Sequence, residues 1–537
     1  MAPPEATAGR WLEGLERPGS LLRRHLAQAC GGERALTPGR LAPYRDALAR
    51  FCARFGAGRP VQIVRAPGRL NVLGMHIDHR GGYINAMALD REIVLVFSPA
   101  DDDTIDVVNL DEALGRRTFR ISEITPPGPV DETQAWLDWT QTLATGRIED
   151  GTSQDWVHKL TAPAVYLARF AFPGRKLRGL SGVMTGNIPA RVGLSSSSAV
   201  VVAMMTAVAT VNELPLAGEG LVRHCGVAEW YVGTRGGFGD HASMICSKAG
   251  HLLHVRTVPE LHVTGTVPFP ADYRLLVFHS GHDADKTGPA GNIFNERTAT
   301  YEMAEMLASR FLQERHVALW RDLSRERADL KTPKPVHLGD IAERLSSADI
   351  YDLIGSIPDH AHRTALREML GDASTALERQ FVTHREPKGG YRLRQVLLYG
   401  IAECVRAIRG PELLKAGDVE GFGRLMTLSH DGDRVSGIGP ELSALKSGLD
   451  TSIDVWEQPG DYACSTDEID AMVDIALSAG AVGAQVSGAG LGGSTMALVP
   501  VGREDAVIRA MAHGYFEPRH IPPNHLVAVP ARGASVV

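Results

Sequence analysis

The chain has 537 residues, of which 44% are hydrophobic and 22% are charged, so its composition is that of an ordinary globular protein with two or three domains. Its net charge of −7 gives no reason to expect nucleic acid or an anionic membrane as a partner. The most apolar run, residues 199–211, is shorter than the roughly 20 residues that a membrane span needs. The 6 cysteines form no Cys-x-x-Cys pair, and we expect reduced thiols in a cytoplasmic protein.

The first elements in chain order are helical. Residues 11–29 and 41–55 have helical periodicity, and we expect residues 1–40 to form a helical extension packed on the main body. A strand is predicted at residues 61–64. It leads into a motif at residues 65–78, which reads RAPGRLNVLGMHID.

Further strands and a helix are predicted in the next part of the chain. A polar loop at residues 75–82 lies between apolar stretches, and strands are predicted at residues 92–97, 104–108 and 118–121. Residues 157–170 are predicted to be helical. These elements indicate a mixed α and β domain.

The segment at residues 186–198, which reads GNIPARVGLSSSS, runs directly into an apolar stretch of small and β-branched residues. This pattern is typical of a loop that turns into the N-terminus of a buried helix. Backbone N–H groups and the helix dipole favour anions at such an end, and the serine hydroxyls add donors. The segment is therefore a candidate phosphate-binding loop. A Ser-rich cap on an ordinary core helix is the alternative.

Two acidic residues after this loop are candidate functional residues. A predicted helix at residues 221–232 contains Glu229, and the Gly-rich segment at residues 233–243 carries Asp240 into an otherwise apolar region. Gly-rich backbone around one carboxylate in an apolar setting is unusual for a surface turn.

The second half of the chain is predicted to be largely helical. Strands at residues 251–255 and 274–278 flank a domain boundary expected near 265, and residues 292–310 form a clear helix. We expect an insertion with its own helices at residues 315–390.

Two more helices and a strand–loop–strand pattern follow the insertion. The helices are predicted at residues 397–408 and 469–478, and the strands flank a Gly-rich loop within residues 484–499. One cluster of His and Asp residues between the two halves is a weak candidate for a metal site. It consists of His279, His282, Asp283 and Asp285.

Three dissimilar motifs thus stand in order, at residues 65–78, 189–198 and 486–493. Together they resemble the three motifs of the GHMP kinases, and the first resembles the galactokinase branch, whose members phosphorylate sugars at the anomeric hydroxyl. The Walker motif is absent, which excludes an ordinary P-loop enzyme. The resemblance implies a two-domain α+β GHMP kinase fold with the active site in the cleft between the domains.

On this resemblance we expect an N-terminal kinase domain at residues 41–265 and a C-terminal kinase domain at residues 266–537. The extension at residues 1–40 precedes the first domain, and the insertion at residues 315–390 belongs to the second. ATP and Mg²⁺ are the implied cofactors, with a small sugar as the acceptor. A monomer or weak homodimer is expected.

The resemblance also implies residue roles at the nucleotide. Asp240 would act as a general base or orient the sugar hydroxyl, and Arg69 beside it would keep it ionised. Ser197 and Glu229 would ligate Mg²⁺, since this ion prefers hard oxygen ligands. The residues expected to bind ATP are Gly193, Leu194, Ser195, Ser196, Ser197 and Ser198.

The implied sugar-binding residues include two departures from the galactokinase pattern. Met75 stands where galactokinases usually carry a glutamate that contacts the sugar around C6, and Phe294 stands where they carry a tyrosine. Galacturonokinases and arabinokinases also lack that glutamate. The full set expected to contact the sugar is Arg69, Met75, His76, Asp78, Gly237, Asp240, Phe294, Gly488 and Gly490.

The sequence therefore predicts an ATP-dependent sugar 1-kinase acting on galactose or a related sugar. Galacturonic acid is slightly favoured, because Arg80 is expected near C6 and would attract a carboxylate. A galactokinase or arabinokinase with an atypical sugar pocket is the alternative. A non-catalytic sugar sensor is less favoured, because the Ser-rich loop, Glu229, Asp240 and Arg69 are all present.

Overall fold

The structure is a computed structural model, and it describes residues 6–189, 192–233, 237–282, 288–328, 336–371 and 374–537. Its strands are, in chain order, β1 (Ala6–Thr7), β2 (Pro60–Leu73), β3 (Tyr83–Pro99), β4 (Thr104–Asn109), β5 (Arg116–Arg120), β6 (Leu180–Gly186), β7 (His251–Arg256), β8 (His262–Pro268), β9 (Tyr273–His279), β10 (Gly483–Ser487), β11 (Ser494–Pro500), β12 (His525–Ala528) and β13 (Ser535–Val536).

The helices of the first half are α1 (Ala8–Glu16), α2 (Leu21–Cys30), α3 (Pro38–Phe55), α4 (Thr133–Glu149), α5 (Val157–Tyr166), α6 (Ser196–Val211), α7 (Gly218–Glu229) and α8 (Gly239–Cys246). Those of the second half are α9 (Gly288–Arg315), α10 (Val317–Glu326), α11 (Leu338–Arg344), α12 (Ser347–Ser356), α13 (Arg363–Leu370), α14 (Ser374–Phe381), α15 (Leu393–Ala416), α16 (Val419–Asp433), α17 (Pro440–Ser447), α18 (Asp467–Ser478) and α19 (Glu504–Met511).

The first half is built on a mixed sheet with the strand order β1-β2-β3-β6-β4-β5, to which β7, β8 and β13 are added. Its neighbouring strands are antiparallel except for β4 and β6, which are parallel. Helices α5, α6 and α7 pack together, and α6 lies on β2 and β3. Because α6 is apolar nearly all round, it is buried as a core helix, as its composition predicts.

The second half combines a smaller sheet with a large helical region. The antiparallel sheet has the order β10-β11-β9-β12, and α16 and α18 pack on β10. Helices α9 and α15 pack against each other and share a hydrophobic core with the insertion. The expected two-domain α+β architecture is therefore confirmed.

Strand β13 returns from the second half to the first sheet. Ser535 pairs with Arg65 of β2, and the side chain of Val537 is buried among the helices α1, α2 and α3. The Arg65 guanidinium donates to the carbonyls of Arg532 and Gly533 at 2.8 and 2.9 Å. Residues 532–537 therefore cover the outer side of β2, opposite β3.

Three details of the sequence prediction were wrong. The helix expected at residues 11–29 is two helices, because Gly19 has a φ of +75° and Ser20 caps a new helix. Strand β2 runs through the first motif, well beyond the strand expected at residues 61–64. Strand β8 was not predicted, although it pairs with β7 and extends the first sheet to Pro268.

Within the described ranges, no helix is both long and apolar enough to cross a membrane.

Candidate active site

The Ser-rich loop turns into α6 through a left-handed residue. Ser195 has φ 55° and ψ 48°, and it immediately precedes the first residue of α6. Gly193 has a φ of +81°, and a Cβ there would lie 3.1 Å from the carbonyl oxygen of Ser487. The Ser494 hydroxyl donates to the Val192 carbonyl at 2.8 Å. The third motif and the residue after it therefore pack against this loop.

Asp240 lies at the centre of the site. The Arg69 guanidinium donates to both of its carboxylate oxygens, from Nε at 2.6 Å and from Nη2 at 2.7 Å. The Ser195 hydroxyl donates to the same carboxylate. Arg69 also donates from Nη1 to the Gly193 carbonyl at 2.7 Å, which ties the first motif to the Ser-rich loop. Three segments far apart in sequence therefore meet at one carboxylate.

The Asp240 carboxylate is ionised and partly open to the cleft. Burial alone would raise its pKa, but the charge of Arg69 and the hydrogen bonds from Arg69 and Ser195 outweigh burial and hold the pKa at about 2. Its side chain is 34% exposed, whereas that of Arg69 is 10% exposed. A pKa this low makes Asp240 a weak base and suits it to orienting a hydroxyl donor.

The Gly-rich segment places Asp240 close to Asp78. Asp240 lies in the first turn of α8, which begins at Gly239, so the Gly-rich loop expected at residues 233–243 ends at Phe238. A Cβ on Gly237 would overlap the Asp78 carboxylate, and one on Gly239 would lie 3.3 Å from it. Only glycine therefore allows this close approach of backbone and side chain.

Asp78 forms the second open acidic group of the cleft. Its side chain is 28% exposed and accepts a hydrogen bond from His79 at 3.1 Å. Burial would raise the pKa of Asp78, but the contact with His79 outweighs burial and lowers it. The charges of Asp240 and His76 also act on Asp78. The three predicted sugar contacts are therefore neighbours.

His76 lies behind this open face. Its Nε2 is 3.0 Å from the Asp433 carboxylate, and its ring stacks on Tyr462 with 4.4 Å between centroids. The Tyr399 hydroxyl donates to the same Asp433 oxygen at 3.2 Å. Since only 4% of the His76 side chain is exposed, its partners in the second half hold it firmly.

Met75 does not offer an open side chain at the site. It is 2% exposed and forms a small apolar cluster with Ile469 and Val486. The N–H groups of Gly74 and Met75 donate to Glu403 of α15 at 2.8 and 2.9 Å. The Met75 side chain therefore contributes to the packing between the two halves, which corrects its assignment as a sugar contact.

The structure also corrects the expectation for Arg80. This residue is 2% exposed, and its guanidinium contacts Glu302 and lies 3.1 Å from Glu305, both on α9. Two carboxylates therefore already balance its positive charge. The electrostatic reason for favouring galacturonic acid is lost, because that argument required a free charge near C6.

Glu229 contacts the start of α6 through Ser198. The Ser198 hydroxyl donates to Glu229 Oε1 at 2.8 Å, and His241 Nε2 lies 3.2 Å from Oε2. The GHMP kinase resemblance implied that Ser197, not Ser198, shares Mg²⁺ with Glu229. Ser197 precedes Ser198 and is half-buried. One carboxylate with neighbouring hydroxyls beside the Ser-rich loop is a donor set that fits Mg²⁺, an ion that takes few protein ligands and completes its shell with phosphates and water.

The remaining predicted residues are less directly placed. Phe294 is half-buried on α9, and a Cβ on Gly488 would lie 3.5 Å from the Gly193 carbonyl. A Cβ on Gly490 would overlap the Cys464 carbonyl, so this glycine is required by packing.

Within the described residues no group of three or more His, Cys, Asp or Glu could hold a metal ion. Asp283 and Asp285 of the weak alternative cluster lie outside them.

Family models match three parts of the chain. They are the "Galactokinase galactose-binding signature" at residues 49–99, the "GHMP kinases N terminal domain" at residues 160–248 and "GHMP kinases C terminal" at residues 412–516. The galactokinase of Chloroflexus aurantiacus is 27% identical over 458 residues, which cover 85% of this chain and 88% of that protein. The galactokinase of Streptomyces coelicolor is 24% identical and covers 90% and 96%, respectively.

The chain belongs to the galactokinase branch of the GHMP kinases. It is therefore a galactokinase-like sugar kinase. The crystal structure of Lactococcus lactis galactokinase complexed with galactose has the same fold, with a TM-score of 0.58 at 19% identity over 91% of this chain and 98% of that one. The matched segments contain the three motifs, Glu229 and Asp240.

Several residues of this GHMP kinase site were not predicted from sequence. They are the groups behind the expected contacts: His241 beside Glu229, and Asp433 and Tyr462 beside His76. The last two are more than 350 residues from His76 in sequence, and Asp433 is 357 residues away. No local pattern could have indicated these partners.

Proposed function

We propose that this sugar kinase transfers the γ-phosphate of ATP to the anomeric hydroxyl of galactose or a related neutral sugar. The observation that carries the proposal is the Asp240 carboxylate, which Arg69 and Ser195 hold ionised while a third of it remains open to the cleft. Phosphoryl transfer needs an oriented acceptor and charge neutralisation more than covalent chemistry. An exposed, fixed carboxylate beside a phosphate loop supplies the orientation.

In this mechanism Asp240 accepts a hydrogen bond from the attacking hydroxyl and aligns it with the phosphate. Its pKa of about 2 lies far below the operating pH, so it takes the proton only as the hydroxyl becomes strongly acidic during attack. Arg69 stabilises negative charge on the attacking oxygen and on Asp240. The two residues therefore act as one unit.

The phosphates of ATP bind at the N-terminus of α6. The backbone N–H groups of residues 193–196 and the hydroxyl of Ser197 supply donors there, and the helix dipole favours the negative charge. Glu229 and the serine hydroxyls would hold Mg²⁺, which neutralises phosphate charge when bound. Ser198 fixes the Glu229 carboxylate for this role.

The sugar ring binds against Asp78, the Gly237 backbone and the buried His76. The family glutamate at C6 is absent, and the apolar Met75 is turned into the interface between the halves. Galactose and arabinose, which lacks C6, are therefore expected to have similar kcat/KM values. We do not expect a preference for galacturonic acid, because Arg80 is paired with two glutamates.

We place the kinase in the cytoplasm as a monomer or weak homodimer. All six cysteines are unpaired, which fits a reducing compartment. The net charge of −7 does not favour nucleic acid or an anionic membrane as a partner.

A sugar panel tests this function. The purified protein is incubated with ATP, Mg²⁺ and galactose, arabinose or galacturonic acid, and ADP release gives kcat/KM for each sugar. We expect sugar-dependent turnover with galactose at or above galacturonic acid, and a product phosphorylated at the anomeric carbon by NMR.

The same panel separates the enzyme from the sensor alternative. A sensor would bind sugar and nucleotide without releasing ADP. Turnover that is lost in Asp240→Asn assigns the activity to this site, whereas near-normal turnover in that variant would remove Asp240 from the mechanism.

A further inference from the structure

The turn at residues 74–76 leads from β2 into the loop that carries His76 and Asp78. It is left-handed at two positions: Gly74 has a φ of +90°, and His76, which is not a glycine, has a φ of +60°. A Cβ on Gly74 would overlap the Tyr83 carbonyl oxygen, so the turn also lies close against β3. A left-handed residue other than glycine costs free energy and persists where the surrounding structure fixes it. The neighbours of this turn therefore have to hold it.

Glu403 of α15 holds the turn by its backbone. The Glu403 Oε1 atom accepts hydrogen bonds from the N–H groups of both Gly74 and Met75, at 2.8 and 2.9 Å. Two successive N–H groups that converge on one oxygen are a backbone arrangement that includes a left-handed residue. The Asn71 side chain donates to the Gly74 carbonyl at 3.0 Å. One carboxylate from the second half therefore fixes the course of the backbone just before His76.

The Glu403 carboxylate is itself fixed by a second buried charge. Arg406, on the next turn of α15, donates from Nε to Glu403 Oε2 at 2.7 Å, and neither side chain is exposed. Arg406 also donates from Nη1 to the carbonyls of Trp456 and Gln458, at 3.0 and 2.9 Å. Glu403 therefore divides its two oxygens between Arg406 and the turn, and it cannot rotate without losing one of these contacts.

The course of the backbone decides where the next two side chains lie. Met75 packs in an apolar cluster, whereas the His76 ring stacks on Tyr462 with 4.4 Å between centroids. His76 Nε2 also lies 3.0 Å from the Asp433 carboxylate. The φ of His76 sets the direction in which its side chain leaves the backbone. Another conformation of the turn would therefore move the ring away from Asp433.

Packing alone does not account for the charges at this place. Apolar side chains of similar volume often stabilise a protein as well as a buried ion pair does. Gly74 and Met75 are buried, however, and a buried backbone N–H group needs an acceptor. The specific contribution of Glu403 is therefore the oxygen that both N–H groups share.

We propose that Glu403 is a positioning residue for the acceptor sugar, an inference that rests on the function proposed above. It is buried and does not touch the sugar. It fixes the turn at residues 74–76 and so places His76 and, two residues later, Asp78 for the sugar. The Ser-rich loop has its own ties, to Arg69 and Asp240. Loss of the Glu403 oxygen should therefore weaken sugar binding and leave nucleotide binding unchanged.

The test compares two double variants that both lack the ion pair. One carries Glu403→Gln and Arg406→Gln, and the other carries Glu403→Met and Arg406→Gln. The two differ only at residue 403, where Gln keeps an oxygen that can accept from the turn and Met, of similar length, has none. Because neither variant buries an unpaired charge, both are expected to fold, and melting curves check this.

Binding is measured by calorimetry with galactose alone and with ATP alone, so that no turnover occurs. We expect a Kd for galactose within about threefold of the unmodified protein in the Gln variant and about tenfold weaker in the Met variant, the change that one lost hydrogen bond at His76 would cause. The Kd for ATP should be the same in both. Hydrogen exchange of the Gly74 and Met75 amides should be slow in the unmodified protein and faster only in the Met variant.

Asp470→Leu is the control for lost stability. Asp470 is also buried and accepts from two successive backbone N–H groups, those of Val435 and Ser436, at 2.8 and 2.7 Å. The Leu variant should lower the melting temperature and leave the Kd for galactose unchanged.

Equal galactose Kd values in the two Glu403 variants would overturn this inference alone. So would a Met variant that fails to fold while the Gln variant folds, because Glu403 would then have a structural role only. Fast exchange of the Gly74 and Met75 amides in the unmodified protein would overturn it without any variant. An unmodified protein that binds ATP but no sugar would overturn the proposed function together with this inference.

Discussion

The two loops that form the cleft are held in opposite ways. In the Ser-rich loop, residues 193–198, four of the six residues are half-buried or less, and the ties run mainly to Arg69 and Asp240. In the sugar-side loop, residues 74–82, most side chains are buried and paired with helices of the second half. His76 is held by α16, the backbone at Met75 by α15, and Arg80 by α9.

This difference separates two kinds of function. The Ser-rich loop contacts the candidate catalytic carboxylates Asp240 and Glu229 through Ser195 and Ser198, so its residues should contribute to chemistry with little effect on folding. The sugar-side loop joins the two halves, so its residues should affect stability and sugar binding together. The following mutations test this distinction, from the largest expected effect on catalysis to the smallest.

Asp240→Asn should lower kcat by roughly 10²- to 10⁴-fold, the usual range for a group that handles the transferred proton. The variant keeps the shape of the side chain but loses the charge that Arg69 faces. The Kd for ATP, measured by calorimetry, should change less than threefold, because Asp240 lies on the acceptor side. Near-normal kcat would remove Asp240 from the mechanism.

Asp106→Asn is the matched control for that variant. Asp106 also receives two hydrogen bonds from one arginine, Arg116, at 2.7 and 2.8 Å, but it lies on β4 away from the cleft. Asp106→Asn should leave kcat unchanged. A loss of kcat in both variants would indicate that breaking any such Arg–Asp pair disturbs the fold.

Glu229→Gln should raise the Mg²⁺ concentration for half-maximal activity by roughly ten- to a hundredfold, because an interaction with a charged group contributes about 1.5–3 kcal/mol. Ser197→Ala should also raise it, and Ser198→Ala less, because Ser198 contacts Glu229 and acts by positioning it. Mg²⁺ titrations of ADP release measure all three.

Thr206→Val provides the control for this series. Thr206 lies on the same helix and donates only to the Val202 carbonyl at 2.8 Å. Its Mg²⁺ titration should match that of the unmodified protein. Unchanged titrations in all of the Glu229 and serine variants would place the metal elsewhere.

His76→Asn should raise the KM for galactose about tenfold, because loss of a hydrogen bond held by the Asp433 charge costs about 1.5 kcal/mol. It should also lower the melting temperature, since the buried Asp433 loses its contact with His76 and keeps only weaker neutral donors such as the Tyr399 hydroxyl. His430→Asn breaks another buried His–Asp pair, with Asp470 at 3.2 Å, and should lower stability without the change in KM. Equal KM values in both variants would leave His76 with a structural role only.

Arg80→Gln should change the ratio of kcat/KM for galacturonic acid and galactose less than twofold. The reason is that two glutamates already balance the charge of this arginine. Its main effect should be on unfolding, where loss of one buried partner costs about 3–5 kcal/mol. Urea denaturation should show a similar loss of unfolding free energy for Arg327→Gln. Arg327 lies 2.6 Å from Asp340, which is also buried. A large change in the sugar ratio would restore the charge hypothesis.

Local patterns predicted much of the fold. The apolar run after the Ser-rich loop has one stable solution, a buried helix, and α6 is that helix. Strand β8 was missed because it alternates exposed and half-buried residues at a sheet edge. Periodicity also carried the first predicted helix across Pro18 and Gly19, where a turn ends it.

The site was predictable where one motif supplies the chemistry, and not where its partner is remote. Asp240 and Arg69 could be paired because both belong to recognisable motifs. Arg80 could not, because a loop arginine usually faces solvent and its partner Glu302 is 222 residues away. The choice between Ser197 and Ser198 depends on how α6 is rotated toward Glu229, which sequence alone does not fix.

The return of β13 to β2 has a consequence for how the protein folds. Arg65 and Gly533 are 468 residues apart, so the edge of the first sheet beside β2, the strand that carries the Arg69 motif, cannot be completed until the chain has been synthesised to residue 536. Contacts of such separation slow folding and couple distant regions. We expect the two halves to acquire their final structure together, and the nascent first half to need protection from aggregation until β13 arrives.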